Sequence, residues 1–124
     1  MKNAFTMIEV IFVIVIIGIL SSVAIPMFSS NRNDAVGARL ALSLAQCVEV
    51  SGGMYMKDQS FDLSSPACND VTVGHNCFGL TPDDASGVLN VKNTVTSNKA
   101  CIEAQRIATE NRMSDSGAGI DHKF

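Results

Sequence analysis

The sequence predicts an α+β protein. A long N-terminal α-helix, half membrane-like and half amphipathic, packs on a small disulfide-stapled head with a short antiparallel sheet and a short C-terminal helix. Three observations carry this. From Val10 to Asn31 there are 22 residues without a charge, most of them Ile, Val, Phe, Leu or Met. After that run the apolar residues become periodic: Val36, Leu40, Leu44 and Cys47 follow steps of four, four and three, one face of a helix. Four cysteines, Cys47, Cys68, Cys77 and Cys101, all lie beyond the run. An even count in a small chain with an export-type segment reads as two disulfides in an oxidising compartment. With 124 residues and a net charge of −3, the chain is one small domain plus its helix. A large enzyme with a deep core is excluded, and nothing in the bulk charge favours nucleic acid.

The first element is the apolar run. At 1.5 Å per residue, about 20 helical residues span about 30 Å, one hydrocarbon core. Phe5 to Pro26 is long enough to cross a membrane and is apolar all round. An ordinary secretory signal is one reading, since Ser22-Val23-Ala24 offers a small-x-small site; cutting after Ala24 would release a small secreted disulfide-stabilised binding domain. Glu9 argues against it, because a carboxylate inside an apolar run costs a few kcal/mol, less near the interface. The cost falls if the mature chain begins at Phe5. Glu9 then lies four residues from a free α-amine, on the same helix face and near the positive end of the helix dipole.

At these residues the chain resembles the type IV pilin and pseudopilin superfamily. The match is Ala4, then Phe5-Thr6-Met7-Ile8-Glu9, then the long apolar stretch with Gly18 and Pro26, about 30 of 124 residues. The resemblance implies that a membrane prepilin peptidase removes a leader of residues 1–4, cutting between Ala4 and Phe5, and that the new N-terminal Phe5 is N-methylated. A chain still carrying Met1 to Ala4 is then the precursor. The family usually has Gly before the cut; here it is Ala4, also small. Glu9, Gly18 and Pro26 match the family's assembly residues.

Pro26 has no N–H and its ring clashes with the carbonyl of Ser22. Gly18, Ser21 and Ser22 are weak helix formers, so residues 18–26 are the softest part of the helix. On residues alone this is a mild kink; the resemblance implies a stretch that can lose helical structure when subunits pack into a filament. The boundaries expected are a leader at 1–4, a transmembrane or filament-core segment at 5–28, and a head at 29–124 that includes the amphipathic half of the helix. That half should end near Ser51, where Gly52-Gly53 weakens it, about 70 Å from Phe5.

Residues 52–86 are rich in Gly, Ser, Asp and Asn and read as a long loop, with short strands at Val71-Thr72-Val73 and Cys77-Phe78-Gly79-Leu80. Residues 88–96 alternate, with Leu89, Val91 and Val95 on one face, which predicts a half-buried strand. Ala100 to Glu110 returns to helical spacing, with Cys101, Ala104, Ile107 and Ala108 on one face. Asn111 to Phe124 reads as a loose tail. So small a head needs staples. Four cysteines allow three connectivities; chain order favours Cys47–Cys68 and Cys77–Cys101, and the sequence leaves the other two open.

Other constellations are weaker. Cys68, His75, Cys77 and Cys101 could ligate zinc, but no Cys-x-x-Cys or close His pair is present and disulfides compete for the thiols, so no metal and no cofactor is expected. His75 and His122 read as exposed loop histidines with no nucleophile at motif spacing, so the chain is not expected to be an enzyme. Asp83-Asp84 reads as a turn and Asp115 to Asp121 as a solvated tail, although two glycines there could admit a cation. Lys92, Lys99, Arg106 and Arg112 could form a weak basic face.

The resemblance implies a structural subunit of a type IV pilus-like filament, polymerised through its N-terminal helix and serving adhesion, motility or surface interaction. Its partners would be copies of itself, the prepilin peptidase, the inner-membrane assembly machinery and the membrane, without nucleic acid. Its location would be the bacterial inner membrane as precursor, then an extracellular pilus. The alternative within the superfamily is a pseudopilin of a type II secretion system, in a periplasmic pseudopilus.

Overall fold

The structure is a computed structural model, and it describes residues 4–124. Three of the four expected leader residues, 1–3, lie outside the described residues. The element order is α1 (Met7–Asp58), α2 (Pro66–Asn69), a π-helical turn (Asp70–Gly74), β1 (Phe78–Asp83), β2 (Val88–Asn93), α3 (Lys99–Glu110) and β3 (Ile120–Lys123). This is the α+β class, with a three-stranded antiparallel sheet in the order β1-β2-β3. The chain divides into two compact units, Met1–Arg32 and Asn33–Phe124.

In the second unit the head is built on the amphipathic half of α1. Leu40, Leu44 and Cys47 are fully buried and Val36 packs beside them, the face expected from the four-four-three spacing. Leu89 and Val91 from β2, Phe78 from β1, Val71, and Ala100, Ala104 and Ala108 from α3 complete the core. A Cβ on Gly37 of α1 would strike the side chain of Glu103 and the carbonyl of Ala100, so the missing side chain at Gly37 is what lets the two helices approach there. Asn98 starts α3 by accepting from the amides of Ala100 (2.9 Å) and Cys101 (3.4 Å). Gln105 then ties α3 to the sheet, donating through Nε2 to the carbonyls of Cys77 (2.7 Å) and Thr94 (2.8 Å).

The two disulfides are Cys47–Cys68 and Cys77–Cys101, with Cα separations of 4.7 and 5.0 Å. The first joins α1 to α2; the second joins the residue before β1 to α3. All four cysteines are fully buried.

Four expectations need correction. α1 runs to Asp58, past Gly52-Gly53. Ser51 is buried with its hydroxyl donating to the carbonyl of Cys47 at 2.6 Å, and Gly52 is covered by Phe124, so tertiary packing carries the helix through its weak point. It stops where Gln59 takes a left-handed φ of 58°. The segment 71–73 is not a strand but part of the π-helical turn. Ser65 caps Cys68 through its hydroxyl (3.3 Å) and Pro66 opens α2, so a helical start propagates into Asp70–Gly74. Val71 faces the core while Val73 is exposed. β2 ends at Asn93, which leaves Val95 fully exposed instead of on the buried face. Finally, the tail forms β3, paired with β2 from Val88↔Lys123 to Val91↔Ile120. Gly119, at φ 85°, turns the chain into this strand, Asn90 fastens it by donating to Ala118 and Asp121 (3.2 and 2.7 Å), and Phe124 N–H donates to Gly87 (2.9 Å).

Candidate functional site: the N-terminal helix

The first unit is the apolar half of α1. Its helix is long and apolar enough to cross a membrane, with a mean hydropathy of 2.8 over the best window and none of that window buried. Phe12, Ile14, Ile17, Ile19, Leu20, Val23 and Ile25 are each more than half exposed. An uncovered run of Ile, Val, Leu and Phe of this length is stable only against lipid or other apolar helices.

The helix start is fixed by Thr6. Its Oγ1 accepts from the amide of Glu9 at 3.3 Å, and its carbonyl accepts from Glu9 (3.1 Å) and Val10 (3.3 Å). Thr6 was not among the residues singled out in the sequence. The signal was there, since Thr6-Met7-Ile8-Glu9 has the Ser/Thr-x-x-Glu pattern that opens helices. Glu9 therefore stands in the first turn of α1, at the positive end of its dipole. With Phe5, Val10, Val13 and Ile14 it lines a shallow groove in which its carboxylate is the one charged group. Ala4 and Phe5 precede the helix, and Phe5 is 78% exposed.

Further along, Ser21 and Ser22 return their hydroxyls to the carbonyls of Ile17 (2.7 Å) and Ile19 (2.8 Å), which keeps both side chains satisfied inside an apolar segment. Pro26 lies inside the helix and gives no N–H to the carbonyl of Ser22. A Cβ on Gly18 would meet nothing within 4 Å among the described residues, so the chain's own packing does not call for glycine there.

The four cysteines are all in disulfides, so the set Cys68, His75, Cys77 and Cys101 holds no thiolate, and no cluster of three metal-ligating residues is found among the described residues. The histidines are half-buried, not exposed loop residues. His75 Nδ1 lies 3.2 Å from the carboxylate of Asp70, which also meets Arg39 (3.2 Å) and Ser43 (3.3 Å). His122 sits in β3 with Nε2 2.9 Å from the carbonyl of Met113. The expected basic face is broken at Arg106, which pairs with Glu103 and Glu110. Those hydrogen bonds hold the guanidinium above its ordinary value, and the bond from Arg106 holds Glu103 below the usual carboxylate range. Asp115 accepts from the amide of Ser116, and Asp121 from Asn90, so the acidic tail residues serve the loop and strand.

A single apolar helix, leading into a small head closed by two disulfides, fits the class of membrane-anchored precursors. Residues 1–25 match the family model described as the prokaryotic N-terminal methylation motif, the signature of type IV pilins and pseudopilins. The motif supports a pilin-like or pseudopilin protein processed by a prepilin peptidase. Comparison of the chain with curated proteins and with solved structures gives no match.

Proposed function

We propose that the chain is the structural subunit of a type IV pilus-like filament, without catalytic activity of its own. The observation that supports this most directly is the apolar half of α1, uncovered along its length and carrying the methylation motif at its start. On this reading residues 1–4 are the leader, the cut falls between Ala4 and Phe5, and Phe5 becomes the methylated N-terminus. Residues 5–28 hold the precursor in the inner membrane and later form the filament core, while residues 29–124 face outward as the head. Assembly machinery in the inner membrane lifts each subunit from lipid into a bundle of like helices. The apolar surface stays buried throughout, and only its neighbours change. The α-amine of Phe5 and the carboxylate of a neighbour's Glu9 then neutralise each other in a dry environment where either alone is costly. Gly18, idle in the chain's own packing, and Pro26, which removes a helical hydrogen bond, give the segment freedom to adjust as helices close on one another. The filament leaves the cell surface.

The test is intact-mass analysis of filaments sheared from the native host. A subunit beginning at methylated Phe5 and carrying two disulfides is expected. A chain beginning at Ile25 overturns the reading in favour of a secreted domain, and a properly cut subunit confined to the periplasm replaces pilus by pseudopilus.

A further inference from the structure

We propose that Thr6 is a positioning residue for processing: as the cap of α1 it stops the helix at Met7 and holds the Ala4–Phe5 peptide outside it, where a peptidase can reach it. This rests on the cut between Ala4 and Phe5 put forward above. The observations are independent of that cut. Residues 4–6 precede α1, which begins at Met7. The carbonyl of Thr6 accepts the first helical bond, from Val10, and its hydroxyl oxygen accepts from the amide of Glu9; together these define a helix cap. Phe5, the residue after the cut, is largely exposed.

The chemistry shows why the helix has to stop there. In hydrolysis the oxygen of water adds to the carbonyl carbon of Ala4, the C–N bond to Phe5 breaks, and the Phe5 nitrogen leaves as an amine with the proton that water gives up. The carbonyl of Ala4 has to be open to a nucleophile and to groups that polarise it. Inside a helix that same carbonyl would accept from the amide of Ile8, four residues on, and its face would be closed by the turn. Ala4 and Phe5 are both tolerated in helices, and α1 runs on unbroken from Met7, so the capping side chain of Thr6 is what holds the boundary. The device uses the backbone amide of Glu9, not its carboxylate, so it is separate from the charge pairing at that residue.

The experiment uses the full-length chain inserted in membrane vesicles with a prepilin peptidase, and measures the initial rate at which the Phe5 N-terminus appears by mass spectrometry. Thr6→Ser and Thr6→Asn keep a capping oxygen and should be cut within about twofold of wild type. Thr6→Ala and Thr6→Leu lose it and should be cut about fivefold more slowly or worse, the factor that loss of a helix cap corresponds to. In micelles, amide exchange at Ile8 should slow in Thr6→Leu, because the helix has grown to take in the Ala4 carbonyl. Equal rates for Thr6→Ala and wild type overturn the inference. So does an equal loss in Thr6→Ser and Thr6→Asn, which would mean that the peptidase reads threonine itself. Failure of wild type to be cut at Ala4–Phe5 fails the processing reading instead, before any variant is compared, and the inference falls with it.

Discussion

The ring of Phe124 lies against Gly52, so close that a β-carbon on Gly52 would clash with its Cε1, Cδ1 and Cζ atoms. One residue belongs to the last third of α1 and the other follows β3, so this contact closes the head by bringing its end against its first helix. Phe124 also meets Phe61 edge-on at 5.8 Å, and Phe61 stacks on Tyr55 at 4.6 Å.

That contact and its neighbour Gly53 make a paired prediction. Gly52→Ala forces the Phe124 ring aside and should destabilise the head by about 1–3 kcal/mol, even after alanine's helical advantage. Gly53→Ala meets nothing within 4 Å and should stabilise it by about 0.5–1 kcal/mol. Thermal melts of the oxidised protein in detergent check both signs. A stabilised Gly52→Ala would mean that the ring swings away at no cost.

The disulfides should carry much of the head's stability. They close loops separated by 21 and 24 residues in sequence. Each should contribute about 3 kcal/mol. Replacing Cys47 and Cys68 together by serine should lower the melting temperature clearly, and reducing both bonds should unfold the head at growth temperature. Alkylation of exported protein without reduction should label none of the four cysteines.

The β1–β2 turn has a measurable acid response. Asp83 accepts from the hydroxyl and amide of Ser86 and from the amide of Ala85, and these bonds hold its carboxyl below the usual value of 3.8. A carboxyl depressed in the folded state contributes stability that is present above the unfolded value and lost as pH falls through the folded one. The Ser86 amide resonance should therefore titrate with a midpoint below 3.8, and Asp83→Asn should abolish that titration. A midpoint at or above the ordinary value would contradict the hydrogen-bonded turn.

Glu9→Val should leave membrane insertion intact, since it makes the segment more apolar. It should leave cleavage near normal, since the backbone bond to Thr6 survives. Filament yield should collapse, because each incoming subunit would bury an unmatched amine, a loss of about 3–5 kcal/mol for a broken buried pair. The measurement compares sheared filament with mature subunit held in the membrane. Normal filament yield would confine the carboxylate to its own chain.

What the sequence made legible were features encoded locally. The apolar run, the spacing of Leu40, Leu44 and Cys47, the alternation of Leu89 and Val91 and the small-residue face of α3 each follow from a short window of residues. What it hid depends on distant partners. Val71-Thr72-Val73 has strand-forming residues, yet Cys68 three residues earlier is bonded to Cys47, and the Ser65-Pro66 start carries the turn helical. Ile120 to Lys123 holds one large aliphatic residue and becomes a strand only because the open side of β2 accepts it and Asn90 fastens it. Gly52-Gly53 reads as a stop because nothing nearby in sequence announces Phe124. At the helix start the signal is local again: Thr6-Met7-Ile8-Glu9 carries the capping pattern beside the charge of Glu9.

The sheet has two outer rims, and both are poor templates for another strand. β1 carries Pro82, which offers no N–H, and β3 is four residues long with exposed Asp121 and Lys123. Heads brought side by side at high local concentration are therefore guarded against zipping into a continuous cross-subunit sheet, the irreversible fate that crowding invites.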